Sequence, residues 1–119
     1  MKKLLIAIAG SALLAASGIS AAADLDAGKA LFEKTCASCH GADAKSPVMP
    51  AYPILAGQHQ DYLAHALKAY QRGNNNEPAS SNIRKNAVMG AMAAQLSATD
   101  IENVTAWLAS LPSSLSVEK

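Results

Sequence analysis

The sequence predicts an all-α domain. Three segments repeat apolar residues at three- and four-residue steps, no stretch reads as a strand flanking a helix, and the pentapeptide Cys36-Ala37-Ser38-Cys39-His40 closes the first of those segments. The pentapeptide matters because a small chain with one Trp and one Phe builds only a thin core from its own side chains. A domain of that kind needs a staple.

The N-terminus reads as an export signal. Met1-Lys2-Lys3 precedes an apolar stretch from Leu4 to Ile19, and Ala21-Ala22-Ala23 stands before Asp24, the three-part layout of a secretory leader. Cleavage after Ala23 is expected, which makes 1–23 a signal peptide and 24–119 a single domain. The rival reading is an uncleaved anchor. Gly10, Ser11, Ser17 and Gly18 interrupt the stretch, however, and it falls short of the roughly 20 apolar residues that span a bilayer, so no membrane span is expected in the mature form. Loss of Lys2 and Lys3 changes 10 basic and 9 acidic residues to 8 and 9, a formal charge of −1. With no basic stripe, the domain lacks the electrostatic footprint of a nucleic-acid binder.

Each element follows from its pattern. Leu25, Gly28, Phe32 and Cys36 form a helical stripe with Lys29, Glu33 and Lys34 on the other face, giving a first helix that ends at the pentapeptide. From Gly41 to Pro53 the chain carries Pro47, Pro50 and Pro53 and reads as loop. His59, Leu63, Ala66, Leu67 and Tyr70 mark a second helix over 60–72, stopped by Gly73-Asn74-Asn75-Asn76. Residues 73–96, rich in Asn, Ser, Gly and Pro, read as irregular. The last helix opens on the capping box Ser97-Ala98-Thr99-Asp100, continues through Ile101, Val104, Trp107, Leu108 and Leu111, and stops at Pro112. The tail beyond it is polar.

Cys-x-x-Cys followed at once by His is the haem c attachment signature. Two thiols one helical turn apart can each add to a vinyl group of one porphyrin, while the adjacent imidazole faces the iron. Cofactor and metal are then a single covalent haem c and its iron, attached through Cys36 and Cys39 and ligated by His40. The alternatives are weaker. A disulfide across so short a loop removes little chain entropy. A zinc site lacks further ligands, because His59 and His65 are six apart and do not share a helical face. A thioredoxin-like pair wants strands around it.

The residue opposite His40 decides between electron transfer and small-molecule binding. Downstream candidates are Met49, His59, His65, Met89 and Met92, with Asn82 and Asn86 as weak ones. Met49 is close to His40 in sequence and suits the proximal side. Met89 and Met92, in the segment before the last helix, are far enough along the chain to reach the other face. A methionine is ordinarily core filler, and only the haem makes ligation the better reading. Thioether ligation favours ferrous iron and raises the potential.

The run from Gly28 through Phe32 to His40 resembles the N-terminal helix and attachment site of class I cytochromes c, and Val104 and Trp107 resemble the terminal-helix partners of its Gly and aromatic. Tyr52-Pro53-Ile54-Leu55-Ala56-Gly57-Gln58 and Met89-Gly90-Ala91-Met92-Ala93-Ala94-Gln95-Leu96-Ser97 are similar more narrowly to bacterial monohaem cytochrome c-553 and to single halves of dihaem cytochrome c-4. The resemblance covers essentially the whole of 24–119 and implies the small cytochrome c fold. It implies Met89 as axial ligand, with Met92 as a packing residue and fallback ligand, and the carbonyl of Pro53 as acceptor of the second His40 N–H. With only one attachment motif, the chain is not by itself a dihaem protein. The Asn-rich segment 73–86 has no clear counterpart and could form a docking edge.

The resulting expectation is a periplasmic single-electron carrier of a respiratory chain, with six-coordinate His/Met haem c and no catalytic turnover of its own. Its partners would dock transiently: a donor dehydrogenase or quinol-oxidising complex, and an acceptor oxidase or reductase. Two alternatives stay open, a haem c cytochrome that binds gas or another small molecule, and the electron-accepting cytochrome subunit of a periplasmic dehydrogenase.

Overall fold

A computed structural model of the chain describes residues 22–113. Most of the expected signal peptide, through residue 21, and the polar tail beyond residue 113 lie outside the described residues. Helix α1 (Leu25–Leu31) starts on Asp24, whose carboxylate accepts from the Ala27 N–H at 3.0 Å, satisfying one of the unpaired donors of the first turn. It passes without a break through a π-helical turn (Phe32–Cys36) into α2 (Ala37–His40). In the wider turn the Ala37 N–H reaches back to the Phe32 carbonyl. The inserted residue therefore rotates Cys36–His40 relative to Phe32, away from the straight stripe that their spacing suggested.

Helix α3 (Gln60–Asn74) runs two residues past the end expected from sequence. Helix α5 (Ala98–Ser110) has the predicted capping box, with the Ser97 hydroxyl on the Asp100 N–H and the Asp100 carboxylate on the Ser97 N–H, both at 3.0 Å. No β-strand occurs among the described residues.

Residues 73–96 differ from expectation. A 3-10 turn (Ala79–Ser81) is followed by a true helix, α4 (Ala87–Ala94), so Met89 and Met92 lie on a helix and not in a coil. Its sequence, AVMGAMAA, has no polar face, and periodicity cannot reveal a helix without one. At 8 residues it is also below the roughly 12–15 at which an isolated helix becomes marginally stable, so its surroundings must hold it. The Gln71 side-chain amide donates to the carbonyls of Ala93 at 2.9 Å and Leu96 at 3.0 Å. The intervening loop folds back on α3. Arg72 donates to the Asn82 carbonyl through Nε at 3.2 Å and Nη2 at 2.8 Å, and the Arg84 N–H bonds the Ala69 carbonyl at 3.0 Å. The Arg84 guanidinium lies over the rings of Tyr62 and Tyr70.

The core forms where α1 crosses α5. Phe32 is fully buried, with its ring centroid 5.1 Å from that of Trp107 at an interplanar angle of 42°. Val104, Leu108, Leu63, Ala44 and Ala56 complete the cluster. The crossing is close because of Gly28, where an added Cβ would fall 2.0 Å from the Asn103 carbonyl oxygen. Asn103 also accepts from the Asp24 N–H at 2.9 Å through its side chain. A methyl group at position 28 would force the two helices apart. Gly28→Ala should thus destabilise the haem-loaded protein by about 2 kcal/mol, since a clash with backbone puts the overpacking cost at about 3 kcal/mol, the upper end of its usual range, against roughly 1 kcal/mol gained in helix propensity. Guanidinium denaturation measures it, and an unchanged midpoint would refute the close crossing.

Candidate metal centre

The chain around the pentapeptide is built to stop a helix and turn back on itself. Cys36 and Cys39 are half-buried free thiols, and His40 is buried at 6% exposure. Gly41, at φ +85°, ends α2 in the left-handed region, with its N–H on the Ala37 carbonyl, a conformation glycine adopts without penalty. Asp43 then organises the turn, its carboxylate accepting from the N–H groups of Lys45 and Ser46 and from the Ser46 hydroxyl. Those bonds hold its carboxyl below the usual carboxylate range. The Val48 N–H returns to the Cys39 carbonyl at 3.0 Å, and the carbonyl of buried Ala44 accepts from Leu55 and Ala56 at 2.9 and 3.1 Å.

The loop brings Pro53 to the histidine. His40 Nδ1 lies 3.2 Å from the Pro53 carbonyl oxygen. A carbonyl only accepts, so Nδ1 carries the proton and Nε2 keeps its lone pair. A ring fixed in this tautomer and orientation is what a metal ligand requires. Tyr52 braces the same ring, with centroids 6.1 Å apart at 42°. Burial pushes the Cys36 thiol up to about 11, with negative charge at Cys39 the smaller contribution. Two thiols confined to one turn beside a half-committed imidazole suit covalent haem attachment. They do not suit zinc, because no group of three or more His, Cys, Asp or Glu residues able to hold a metal ion occurs among the described residues. His59 and His65 are exposed.

Cys36, Cys39, His40 and Pro53 are thus brought together by the π-helical turn, α2 and the loop after it, whereas Met89 and Met92 stand on α4. Gly90 and Ala93 form the buried side of that helix. Met89 sits at the edge of this buried stripe and is half-buried, while Met92, further round, is 37% exposed. The helix turns its smallest residues, Gly90 and Ala93, toward α3. Asn86, considered from sequence only as a weak ligand, caps α4. Its side-chain oxygen accepts from the Val88 N–H at 3.0 Å and the Met89 N–H at 2.9 Å. An Asn directly before an apolar run is an N-cap signal, and it was the available clue to this helix.

An all-α fold that presents paired thiols and an oriented imidazole at the end of its first helix defines a protein that holds haem covalently. Comparison with known proteins gives the family: the cytochrome c model matches residues 25–112, and the chain belongs to that family of electron carriers. Its cofactor is haem c with its iron, and Cys36, Cys39 and His40 form its CxxCH-type site. Cytochrome c-554(547) of Halothiobacillus neapolitanus is 35% identical over 97 residues, covering 76% of this chain and 99% of that protein. A thiosulfate dehydrogenase electron acceptor of Thiomonas intermedia is 34% identical over 77 residues, covering 65% of this chain and 31% of that one. The crystal structure of reduced recombinant cytochrome c4 from Pseudomonas stutzeri superposes with a TM-score of 0.65 at 33% identity, covering 76% of this chain and 47% of that one. The chain thus spans nearly all of the first relative and less than half of the other two. No helix among the described residues is long and apolar enough to cross a membrane.

Attachment through both sulfurs has a direct chemical test. Unfolded in guanidinium, the purified haem-loaded protein should show no reaction with an aromatic disulfide thiol reagent. One reactive thiol per chain would mean that a sulfur stays outside the attachment.

Proposed function

We propose that this chain is a periplasmic single-electron carrier whose haem c is held by thioethers to Cys36 and Cys39 and ligated on its two faces by His40 and Met89. The observation that carries the reading is the commitment of His40 Nδ1 to the Pro53 carbonyl at 3.2 Å, which leaves Nε2 as the donor and makes the imidazole a better base. Met89 supports it as a half-buried thioether in the first turn of a capped helix. The haem iron supplies one-electron chemistry when bound. The protein holds both ligands on fixed backbone, so a change of oxidation state needs little rearrangement. A soft sulfur donor at Met89 favours the ferrous state. The secretory layout of residues 1–23 supports export with cleavage after Ala23, and transient docking to redox enzymes follows from the role of a carrier.

A second reading has a specific observation behind it. Curated relatives from Thiomonas intermedia and from Stutzerimonas stutzeri are named thiosulfate dehydrogenase electron acceptor, which favours service as the electron acceptor of a periplasmic dehydrogenase that carries its catalytic cofactor on another chain. Isolation as a stable complex with such an enzyme would support it, whereas recovery as a free protein supports the diffusing carrier. The small-molecule-binding alternative loses one of its two weak-ligand candidates, since the Asn86 oxygen is occupied at the start of α4.

The ligand assignment is testable by substitution. Met89→Ala should abolish the far-red sulfur-to-iron absorption band and lower the reduction potential by a substantial part of the roughly 0.8 V that axial ligation spans. Met92→Leu should preserve both. An intact band in Met89→Ala would remove Met89 from the iron, and loss of the band in Met92→Leu would transfer the role.

A further inference from the structure

We infer that Asn86 is a positioning residue for the iron ligand Met89, holding its backbone amide and thereby the lifetime of the sulfur–iron bond. The inference deepens the proposed His40/Met89 ligation and rests on it.

Three features of α4 lead here. The helix has 8 residues, too few to persist without outside support, and its composition of Ala, Val, Gly and Met supplies no side-chain bonds along its own length. Packing of Gly90 and Ala93 on α3 holds its middle, and side-chain hydrogen bonds order its ends. At the C-terminal end Gln71 of α3 takes the carbonyls of Ala93 and Leu96. At the N-terminal end the side-chain bonds come from Asn86, whose side-chain oxygen receives the Val88 N–H at 3.0 Å and the Met89 N–H at 2.9 Å. Asn86 itself is extended, at φ −153° and ψ 126°, so the chain enters the helix abruptly and the bond to Met89 closes the first turn.

The bond falls on the residue that carries the thioether. Any fraying of the first turn swings the Met89 Cα, and a sulfur at the end of a flexible side chain then loses the fixed origin that keeps it on the metal. Asn86 is exposed, so its contribution is local order and not core packing. The Ser97 cap of α5 makes a similar bond, to the Asp100 N–H at 3.0 Å, on a helix that carries no ligand. It is the control that separates positioning from ordinary capping.

The experiment uses the haem-loaded, ferric protein and follows the far-red band during an alkaline titration, together with the reduction potential and the thermal unfolding midpoint. Wild type must show the band; its absence overturns the His40/Met89 reading and this inference with it, whereas a wild-type band that Asn86→Ala leaves unmoved overturns this inference alone. With the band present, Asn86→Ala should raise the equilibrium constant for loss of methionine about fivefold, the ratio that corresponds to a typical N-cap. Band loss should shift to lower pH, and the potential should fall. Asn86→Ser, which restores an acceptor at the cap, should recover most of the wild-type pH profile. Ser97→Ala should lower the thermal midpoint while leaving the pH profile of the band in place. The inference is overturned if Asn86→Ala leaves that profile and the potential unchanged, or if Ser97→Ala moves the band to the same extent. It is also overturned if Asn86→Ser behaves as Asn86→Ala does.

Discussion

The close approach of α1 to α5 is the constraint on which the rest of the domain depends. Two helices meet backbone to backbone where residue 28 lacks a Cβ, and the contact places Phe32 against Trp107, Val104 and Leu108. A chain with one Phe and one Trp has no second such pair to fall back on. Phe32 also opens the π-helical turn, so the residue that anchors the first helix to the core fixes the phase in which the next eight residues leave it. The attachment motif is aimed by that crossing. Its own three functional side chains, spaced at one and three residues, contain nothing that would set their direction in the domain.

The loop after α2 performs a different task, converting a backbone path into an electronic property. Its bonds run from Ala44 to Leu55 and Ala56 and from Val48 back to Cys39, and each shortens the excursion between His40 and Pro53. The outcome is a carbonyl at hydrogen-bond distance from one ring nitrogen. Proline is suited to this position because its fixed φ limits the ways in which the segment can wander. A carbonyl acceptor cannot be deleted by exchanging a side chain, and so the ring tautomer is protected by the fold as a whole.

Much of this was legible in the sequence, for identifiable reasons. The pentapeptide names its chemistry because covalent attachment demands a fixed spacing of reactive atoms. The capping box of α5 was legible because Ser97 and Asp100 satisfy each other without help from the rest of the chain. Helix α4 was not, because Ala87–Ala94 carries no polar face and is stabilised from Gln71, 22 residues from Ala93. The π-helical turn was equally hidden, since Leu25, Gly28, Phe32 and Cys36 fit an unbroken α-helical stripe. The contacts of Arg72 with Asn82 and of Arg84 with the tyrosines of α3 were missed for the same reason: an Asn-rich stretch reads as loose unless the cations that fasten it can be seen. Local chemistry was readable and long-range fastening was not.

The division between these two kinds of information coincides with a division in the site. The proximal half, from Cys36 to Pro53, is continuous in sequence and is closed by backbone bonds within 18 residues. Helix α4, which carries the proposed Met89 ligand, is short and is fastened at its ends by the side chains of Asn86 and of Gln71 from α3, an arrangement that can open locally. If the two halves supply the two axial ligands, they are not equivalent. The imidazole is tethered by the same few residues that bind the haem covalently, so it leaves only if that turn unfolds, whereas the thioether depends on caps that can open while the core remains folded. Any opening of the coordination sphere in this protein should therefore begin on α4, and the side chains at its two ends govern how often that occurs.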